Sequence, residues 1–461
     1  MIGLPDGWAV CSLADIGHIV TGKTPSTKKA NFYGGSIPFI KPGDLDHSGP
    51  VRTTETFLTD AGAAEVPSLP PQSIVVTCIG NLGKVGLTTT TSATNQQINA
   101  LIPDNGIDPA YVFHYSKTLR PWLEAQSSAT TISIVNKSIF SKAPVPLPPA
   151  AEQTRIAAKL DELLAQVDTL KARIDGIPAL LKRFRQSVLA AAVSGRLTEE
   201  WRLKTASCEA SSEMQLGDES LVVPASWKKT RLGDVTKKDR RLCYGVIQPG
   251  PEVDKGVDLI RVCDIKDGTI DWGRLRKIDN GIDAEYSRSR VREGDIVVSI
   301  VGTIGRAAIV RENRNANIAR AVALISVDQE LVLPSWAYIW LTAPLSQWWL
   351  TSSSKEVARK TLNLKELIEM PVPRPSIAEQ TEIVRRVEQL FAFADQLEAR
   401  VKAAQARIDH LTQSILTKAF RGELVPQDPN DEPASVLLER IKAQRAAVPK
   451  ARRGRRAATL S

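Results

Sequence analysis

Apolar residues recur in two long segments of the chain at the alternating spacing of four and three that is typical of paired helices. The first series is Ile156, Leu160, Leu163, Val167, Leu170, Ile174, Ile177, Leu181, Phe184 and Val188, and the second is Ile383, Val387, Leu390, Ala394, Leu397, Val401, Ala404, Ile408, Leu411 and Ile415. Two series of equal length favour an antiparallel coiled coil over two separate core helices. Pro178 lies within the first series, and we expect a kink there.

Three further pairs of segments repeat across the two halves of the chain. They are Leu4–Trp8 with Val223–Trp227, Ser73–Lys84 with Asp295–Arg306, and Val145–Thr154 with Val372–Thr381. The members of a pair are 219 residues apart at the opening, 222 at the glycine-rich segment, and 227 from the proline cluster through the whole heptad series. The globular parts have therefore changed in length while the helical parts have not. This pattern predicts a pseudo-twofold internal repeat.

Short β-branched runs between Gly and Pro turns precede each heptad series and predict mixed α/β globular domains. With the long helices they predict an α+β fold, in which two globular domains are joined by two helices of an antiparallel coiled coil. The predicted boundaries are 1–149 for the first globular domain, 150–204 for the first helical region, 205–222 for a polar linker, 223–375 for the second globular domain, 376–425 for the second helical region, and 426–461 for a short C-terminal helix and a basic tail.

The net charge of +9 suggests a polyanionic partner, but its distribution weakens that inference. Residues 440–461 hold eight Lys or Arg and no acidic residue, and the rest of the chain is nearly balanced. The last twelve residues, 450–461, are expected to be a disordered basic tail. Residues 228–375 hold 25 basic and 19 acidic residues, whereas 1–149 hold ten of each. Evidence for nucleic-acid binding must therefore come from local features.

Composition excludes several other classes of protein. The chain has 43% hydrophobic and 24% charged residues, no apolar run long enough for a membrane span, and no secretory signal at its N-terminus. Its five cysteines are scattered without a C-x-x-C pair, and its four histidines are dispersed. A disulfide framework and a metal site are therefore not expected, and a reducing cytoplasm is the expected location.

Gly17–Thr24 matches the phosphate-loop pattern G-x-x-x-x-G-K-[ST]. A phosphate loop needs a helix that begins at its lysine, but the polar segment Pro25–Asn31 follows here, and the second half of the chain has no equivalent. We therefore do not expect nucleotide hydrolysis.

Two glycine-rich segments, Gly80–Gly86 and Gly302–Arg306, superficially suggest a dinucleotide-binding loop. The second lacks the third glycine and a following helix. A tight turn between strands is the better interpretation, and such a turn could still lie against a phosphate.

Motifs of catalysis are missing as well: the chain has no [DN]-P-P-[YF] tetrapeptide of methyltransferases, no recognisable nuclease pattern and no G-x-S-x-G elbow. We predict no catalytic residue. Basic and amide side chains suit contacts to phosphates and base edges. The candidates are Lys23, Thr24, Ser26, Thr27, Lys28, Lys29, Lys41, Asn81, Lys84, Asn95, Gln96 and Gln97 in the first globular domain, and Lys237, Lys238, Arg240, Arg241, Arg288, Arg290, Arg306, Arg314, Arg320, Lys355, Arg359 and Lys360 in the second.

The chain as a whole resembles the specificity subunits of type I restriction-modification systems. The resemblance is carried by Gly22–Ser26, by Tyr33–Leu45, by the P-x-P…E-Q junctions at Pro146–Gln153 and Pro373–Gln380, and by the ends of the heptad segments at Ser194–Leu197 and Arg421–Leu424. Members of this family often carry G-G-T-P-S where this chain has Gly22–Ser26, which accounts for the false phosphate loop. The second domain departs from that pattern at Cys243–Pro249.

The resemblance implies that 1–149 and 223–375 are target-recognition domains, each of which reads one half of a split double-stranded DNA site. It also implies that two modification (methyltransferase) subunits and the restriction (translocase and nuclease) subunits assemble on the helical regions. S-adenosylmethionine, ATP and Mg would then belong to those partners, with no cofactor in this chain.

The physical dimensions agree with that expectation. The 33 residues from Ile156 to Val188 would form a helix of about 50 Å, and one turn of B-DNA is about 34–36 Å long. A coiled-coil scaffold that does not read DNA and a fused DNA-modifying enzyme are the alternatives at this stage.

Overall fold

The computed structural model describes residues 3–46, 49–127, 132–205, 210–266, 268–354 and 360–447. The chain divides into two compact units: a first unit of Met1–Ile174 and Ala404–Ser461, and a second unit of Asp175–Ala403. Each unit contains both helices and sheets, as the α+β prediction requires. Among the described residues, no helix has the length and apolar character of a membrane span.

The strands of the first unit are β1 (Ala9–Ser12), β2 (Gly17–Thr21), β3 (Tyr33–Ile40), β4 (Pro50–Val51), β5 (Phe57–Leu58), β6 (Ile74–Thr77), β7 (Val85–Thr88), β8 (Ala93–Thr94), β9 (Ile98–Pro103) and β10 (Pro144–Leu147). A five-stranded sheet of order β2-β9-β6-β7-β4 lies beside a three-stranded sheet of order β5-β3-β8. All four residues of β6 are buried, and β-branched side chains such as those of β6 are typical of a strand that is covered on both faces.

Helices from both ends of the chain pack in this unit. Its helices are α1 (Leu13–Ile16), α2 (Asp60–Ala63), α3 (Pro109–Ser116), α4 (Arg120–Gln126), α5 (Lys137–Phe140), α6 (Ala150–Asp175) and, near the C-terminus, α14 (Ala434–Ala447). The short helix predicted near the C-terminus is therefore present. Leu437 and Ile441 on α14 are buried in the core of the first unit, and Arg445 Nε donates to Asp104 Oδ2 at 2.9 Å. The C-terminal region thus belongs to the same compact unit as the N-terminal domain. The predicted basic tail at 450–461 lies outside the described residues.

Helix α6 packs against residues 404–419, the C-terminal part of the long helix α13 (Ile377–Ala419). Ile156, Leu160, Ile408 and Ile415 of the heptad series are buried together in this core, because the 4,3 spacing aligns them on one face. These four heptad residues are therefore core residues of the unit, whereas Leu170 and Leu411 of the same series are 48% and 46% exposed.

The strands of the second unit are β11 (Ser211–Leu216), β12 (Glu219–Pro224), β13 (Lys228–Arg231), β14 (Cys243–Tyr244), β15 (Val257–Ile260), β16 (Ile265–Lys266), β17 (Thr269–Ile270), β18 (Arg276–Ile278), β19 (Ile296–Ser299), β20 (Ala307–Ile309), β21 (Ala316–Ile318), β22 (Val322–Ile325) and β23 (Pro371–Arg374). As in the first unit, a larger sheet, here four-stranded with the order β14-β22-β19-β20, accompanies a three-stranded sheet, here of order β18-β15-β21.

The polar linker predicted at 205–222 is wrong for most of its length, because β11 and β12 form an antiparallel hairpin there. Met214 and Leu216 are 3% and 0% exposed, in contact with the core of the second unit. The alternation of these apolar residues with polar ones marks a strand with one buried face.

The helices of the second unit are α7 (Ile177–Val193), α8 (Glu199–Thr205), α9 (Asn280–Glu285), α10 (Pro334–Thr342), α11 (Pro344–Ser352), α12 (Leu364–Glu369) and the N-terminal part of α13. The kink expected at Pro178 is a helix break: α6 ends at Asp175, and Pro178 lies in the first turn of α7. Within this unit α7 and α13 run antiparallel, since Arg185 Nη2 pairs with Asp395 Oδ1 at 2.6 Å, while Arg386 Nη1 donates to the Leu197 carbonyl at 2.7 Å.

The repeated Trp…Glu-Gln pattern forms a tertiary clasp, which we define as the indole-to-carboxylate bond at the start of each long helix. Trp8 Nε1 donates to Glu152 Oε2 at 2.9 Å in the first unit, and Trp227 Nε1 donates to Glu379 Oε2 at 2.8 Å in the second. The next residue, Gln153 or Gln380, is fully buried and bonded to backbone groups. The clasp therefore links each long helix to the residue immediately before β1 or β13 of the same unit.

Candidate nucleic-acid interface

A glycine after the edge strand of each unit marks the beginning of the candidate site. A Cβ atom at Gly22 would lie 2.1 Å from the Asn95 carbonyl oxygen, and one at Gly245 would lie 1.7 Å from that of Ile318. Only glycine fits such a close backbone approach. The residue after the glycine donates its backbone N–H to a strand in both units: Lys23 N to Thr94 O at 2.9 Å, and Val246 N to Ile318 O at 2.8 Å.

This geometry corrects one sequence interpretation and explains another. The second half does have an equivalent of the Gly-Lys-Thr segment, in which Gly245 takes the place of Gly22 although the neighbouring side chains differ. Residues 17–21 form strand β2 and are paired with β9, so this segment is not a phosphate loop.

The two glycine-rich segments are tight turns between antiparallel strands, as predicted. Gly80 and Gly83 have φ of +78° and +77°, and Gly302 and Gly305 have φ of +79° and +87°, which favours glycine. Each turn is fastened to a later segment, since Gly80 N donates to Ser133 O at 2.9 Å and Gly302 N donates to Lys360 O at 3.0 Å.

Three segments therefore converge at one edge of each unit: the glycine after the edge strand, the glycine turn, and the segment before α5 or α12. In the second unit a cleft of about 920 Å³ lies beside them, lined by residues on either side of Gly245, by Ile300 and Val301 before the glycine turn, and by residues 361–364. Its lining includes Tyr244, Ile247, Arg320, Thr361 and Asn363. The sequence predicted only Arg320 of these five, because nothing local distinguishes an exposed Tyr or Ile from a core residue.

Three predicted lysines of the first unit are bonded within the chain. Lys84 Nζ pairs with Asp46 and Lys41 Nζ donates to Thr56 Oγ1 at 2.8 Å. Lys23 Nζ donates to the Glu65 carbonyl at 3.0 Å.

The remaining candidates of the first unit divide into exposed and buried side chains. Asn95 is 8% exposed and its Nδ2 donates to Gln97 Oε1 at 2.9 Å, so this hydrogen bond stabilises the loop on its buried side. Gln96 between them is exposed, and Thr24 Oγ1 donates to its Oε1 at 2.5 Å. The side chains of Ser26, Thr27, Lys28, Lys29 and Asn81 are exposed as well.

Arg240 is a correction to the predicted set of the second unit. Its guanidinium is largely buried, with Nη1 and Nη2 at 3.1 and 3.0 Å from the two Asp295 carboxylate oxygens. An arginine whose donors are satisfied inside the protein is a structural group. The sequence showed only that position 240 lies in a basic run.

Two other predicted arginines of this unit form ion pairs with carboxylates of the same unit. Arg290 Nε donates to the buried Asp283 at 2.7 Å, and Arg314 pairs with Glu312 and lies over the Trp272 ring. Lys360 is exposed, and Lys355 and Arg359 lie outside the described residues.

Six exposed cations have no side-chain hydrogen bond or ion pair to any described residue: Lys237, Lys238, Arg241, Arg288, Arg306 and Arg320.

The described residues show no group of His, Cys, Asp and Glu that could hold a metal ion. Burial raises the pKa of the Cys11 thiol to about 12 and that of Cys78 to about 11, so both stay protonated at neutral pH. Neither thiol has the lowered pKa of a reactive nucleophile.

A family model described as the type I restriction modification DNA specificity domain matches residues 5–179 and 224–404. The chain belongs to this family, and the predicted role as a DNA-specificity subunit, not a catalytic one, is confirmed. It is 41% identical over 459 residues to the type I restriction enzyme EcoBI specificity subunit of Escherichia coli, an alignment that covers 97% of this chain and 94% of the relative. It is 30% identical to the EcoKI specificity subunit of Escherichia coli strain K12, with 96% and 97% covered.

Solved structures share the fold. A chain from work on complex assembly and conformational transition of the type I R-M system superposes with a TM-score of 0.67 at 18% identity, covering 92% of this chain and all of that chain. The HsdS subunit from Thermoanaerobacter tengcongensis superposes with a TM-score of 0.53 at 18% identity, covering 91% and 98%. At this identity the likeness concerns the fold alone.

Proposed function

We propose that the two units are the two target-recognition domains of a specificity subunit, and that each reads one half of a split double-stranded DNA site. One observation carries this proposal. Both units have an edge of the same backbone construction, with glycines at equivalent places, but the side chains exposed on it differ. A shared scaffold with different exposed groups suits two readers of different sequences.

The exposed cations of the second unit support contact with the DNA backbone. Lys237, Lys238 and Arg241 follow one another closely in the chain and line a shared groove. Carboxylates of Asp234, Asp328 and Glu369 line the same groove, but none of the three cations forms an ion pair with a described residue. Phosphate contacts of this type position a protein on a duplex and make its affinity depend on salt.

The helices are the proposed spacer between the two readers. We infer that α6 with α7 and α13 form an antiparallel coiled coil with pseudo-twofold related ends. Support comes from the constant separation of 227 residues and from antiparallel ion pairs in each unit, such as Lys171–Asp409 and Arg185–Asp395. A helix pair of invariant length would hold the spacing of two half-sites constant.

Two modification subunits and the restriction subunits are the proposed protein partners, and the helical regions are their proposed docking sites. S-adenosylmethionine, ATP and Mg are then cofactors of those partners, and the cytoplasm is the proposed location. These assignments follow from the family to which the chain belongs.

Methylome sequencing of cells that express this chain with the modification subunit of its own system tests the proposal. We expect methylated adenine in one bipartite motif with a fixed spacer. A scaffold without DNA-reading ability predicts methylation that is independent of this chain. A fused modifying enzyme predicts methyl transfer by the purified chain alone.

The spacer is tested by inserting four residues into one heptad series. We expect a longer spacer in the methylated motif while both half-sites stay as they are. An unchanged spacer would contradict the role of the helices as a rigid spacer.

A further inference from the structure

We propose that Gln96 and Arg320 are equivalent base-reading residues, and that they make the two half-sites different: Gln96 reads an adenine and Arg320 reads a guanine. This inference rests on the proposed function and names determinants of its sequence specificity.

The equivalence of the two positions comes from the backbone on either side of them. Before each residue, an N–H is donated to the neighbouring strand, from Asn95 to Ile40 at 3.2 Å and from Ala319 to Ile260 at 2.9 Å. After each residue, a carbonyl accepts from the strand that leads into the glycine turn.

These carbonyls belong to Gln97, which accepts from Cys78 N at 2.7 Å, and to Ala321, which accepts from Ile300 N at 2.9 Å. Gln96 and Arg320 are therefore each the middle residue of a triplet whose outer residues are fixed to the sheet. Their own side chains are exposed at the site.

In the first unit, Thr24 orients the reading group. Its hydroxyl donates to Gln96 Oε1 at 2.5 Å, which leaves the amide Nε2 free to donate and the second lone pair of Oε1 free to accept. An oriented amide with one donor and one acceptor matches the N7 and N6 groups that adenine presents in the major groove.

In the second unit, the residue equivalent to Thr24 is Ile247, which has no hydroxyl. Arg320 has no side-chain partner among the described residues, and its backbone is fixed because its N–H donates to Val246 O at 2.9 Å. A guanidinium fork in this position matches the O6 and N7 acceptors of guanine.

Apolar neighbours distinguish this place from a simple phosphate contact. Tyr244 and Ile247 line the cleft with Arg320 and are 46% and 42% exposed. Ile134, equivalent to Thr361 of the cleft, is 39% exposed in the first unit. Exposed apolar groups beside a hydrogen-bonding side chain suit base edges and thymine methyl groups, whereas a phosphate offers them no apolar contact.

The test uses the full chain co-expressed with its modification subunit, with methylome sequencing as the readout. The variants are Arg320→Gln and Gln96→Arg, and Arg311→Gln is the matched control, because Arg311 is an exposed arginine of the second unit that does not line the cleft. Thermal unfolding of each purified variant checks that the fold is retained.

We expect Arg320→Gln to lose a guanine preference of about 10- to 100-fold at one position of one half-site, and Gln96→Arg to lose an adenine preference at one position of the other. Arg311→Gln should leave the motif unchanged. Uniformly weaker methylation with an unchanged motif would assign these residues to phosphate contacts and overturn the inference. Methylation by the wild-type complex without any bipartite motif would instead refute the proposed function itself.

Discussion

The two units share a backbone hydrogen bond at the start of the central strand, but the side chains beside this bond differ between them. At the start of the central strand, Thr88 N donates to Ser73 O at 2.9 Å in the first unit, and Val310 N donates to Asp295 O at 2.8 Å in the second. The side chains then differ: Ser73 makes a neutral bond to a carbonyl, whereas Asp295 forms a buried ion pair with Arg240.

The clasp and the parallel strand pair show the same contrast. Glu379 of the second-unit clasp also accepts from Arg202 Nη1 at 2.5 Å, while Oε1 of the buried Glu152 has no partner among the described groups. The strand position held by Ala93 in a small apolar cluster is taken by Asn317, which is bonded to Asp283, in the second unit. The same backbone arrangement is thus compatible with neutral or with ionic side chains in the interior. Removing one partner of a buried ion pair leaves an uncompensated buried charge, which is strongly destabilising.

The largest effect on stability is expected from a substitution at Asp295, just before the central strand of the second unit. Asp295→Ala leaves Arg240 buried without its carboxylate and should destabilise the second unit by about 3–5 kcal/mol, whereas Ser73→Ala should cost the first unit about 1–2 kcal/mol. Denaturant unfolding with hydrogen exchange measures the effect on each unit. Asp239→Ala, an exposed residue with no side-chain bond to any described residue, is the control. Equal losses of stability for Asp295→Ala and Ser73→Ala would show that the ion pair with Arg240 adds no stability.

The clasps should differ by a smaller amount. Glu379→Gln weakens a charge-assisted bond to Arg202 and should cost about 2–3 kcal/mol. Glu152→Gln keeps an acceptor for Trp8 and should change stability by no more than about 1 kcal/mol. Hydrogen exchange at the start of each long helix measures both. A larger loss for Glu152→Gln would reverse the comparison.

The polar strand pair should give a third, more modest effect. Asn317→Ala removes the amide that bridges Asp283 and Ser289 and leaves their buried oxygens short of partners, at a cost of about 1–2 kcal/mol. Denaturant unfolding provides the measurement. Ala316→Gly, on the same strand, is the control for a general loss of strand stability. An Asn317→Ala variant as stable as the wild type would mean that the network is dispensable.

The smallest effect concerns pH. Burial raises the pKa of Glu152 above its ordinary value of 4.5, so the fold favours the protonated acid. Its contribution to stability is fully present below the unfolded pKa and is lost as the pH rises through the folded pKa. The stability of Glu152→Gln relative to the wild type should therefore increase from pH 4 to pH 7 in urea titrations. A pH-independent difference would indicate that Glu152 titrates normally.

The backbone plan of this protein could be predicted well from its sequence, and the candidate site only in part. Repeated segments such as Ser73–Lys84 predicted the strands and turns, because turn glycines and β-branched runs act locally. The hairpin at 211–224 was missed because its polar face made it resemble a linker. Arg240 and Arg320 are the same residue type in the same domain, yet only Arg320 is free to bind.

The amino-acid sequence alone determined the periodic elements, the constant separation of the two heptad series and the family, since each depends on neighbouring residues or on matched segments. Only the tertiary structure decided which cations are neutralised, which glycines meet a backbone and which exposed side chains share a cleft. The physical reason is that burial and pairing depend on residues distant in the chain: Arg240 meets Asp295, and Gln96 meets Thr24, only after folding.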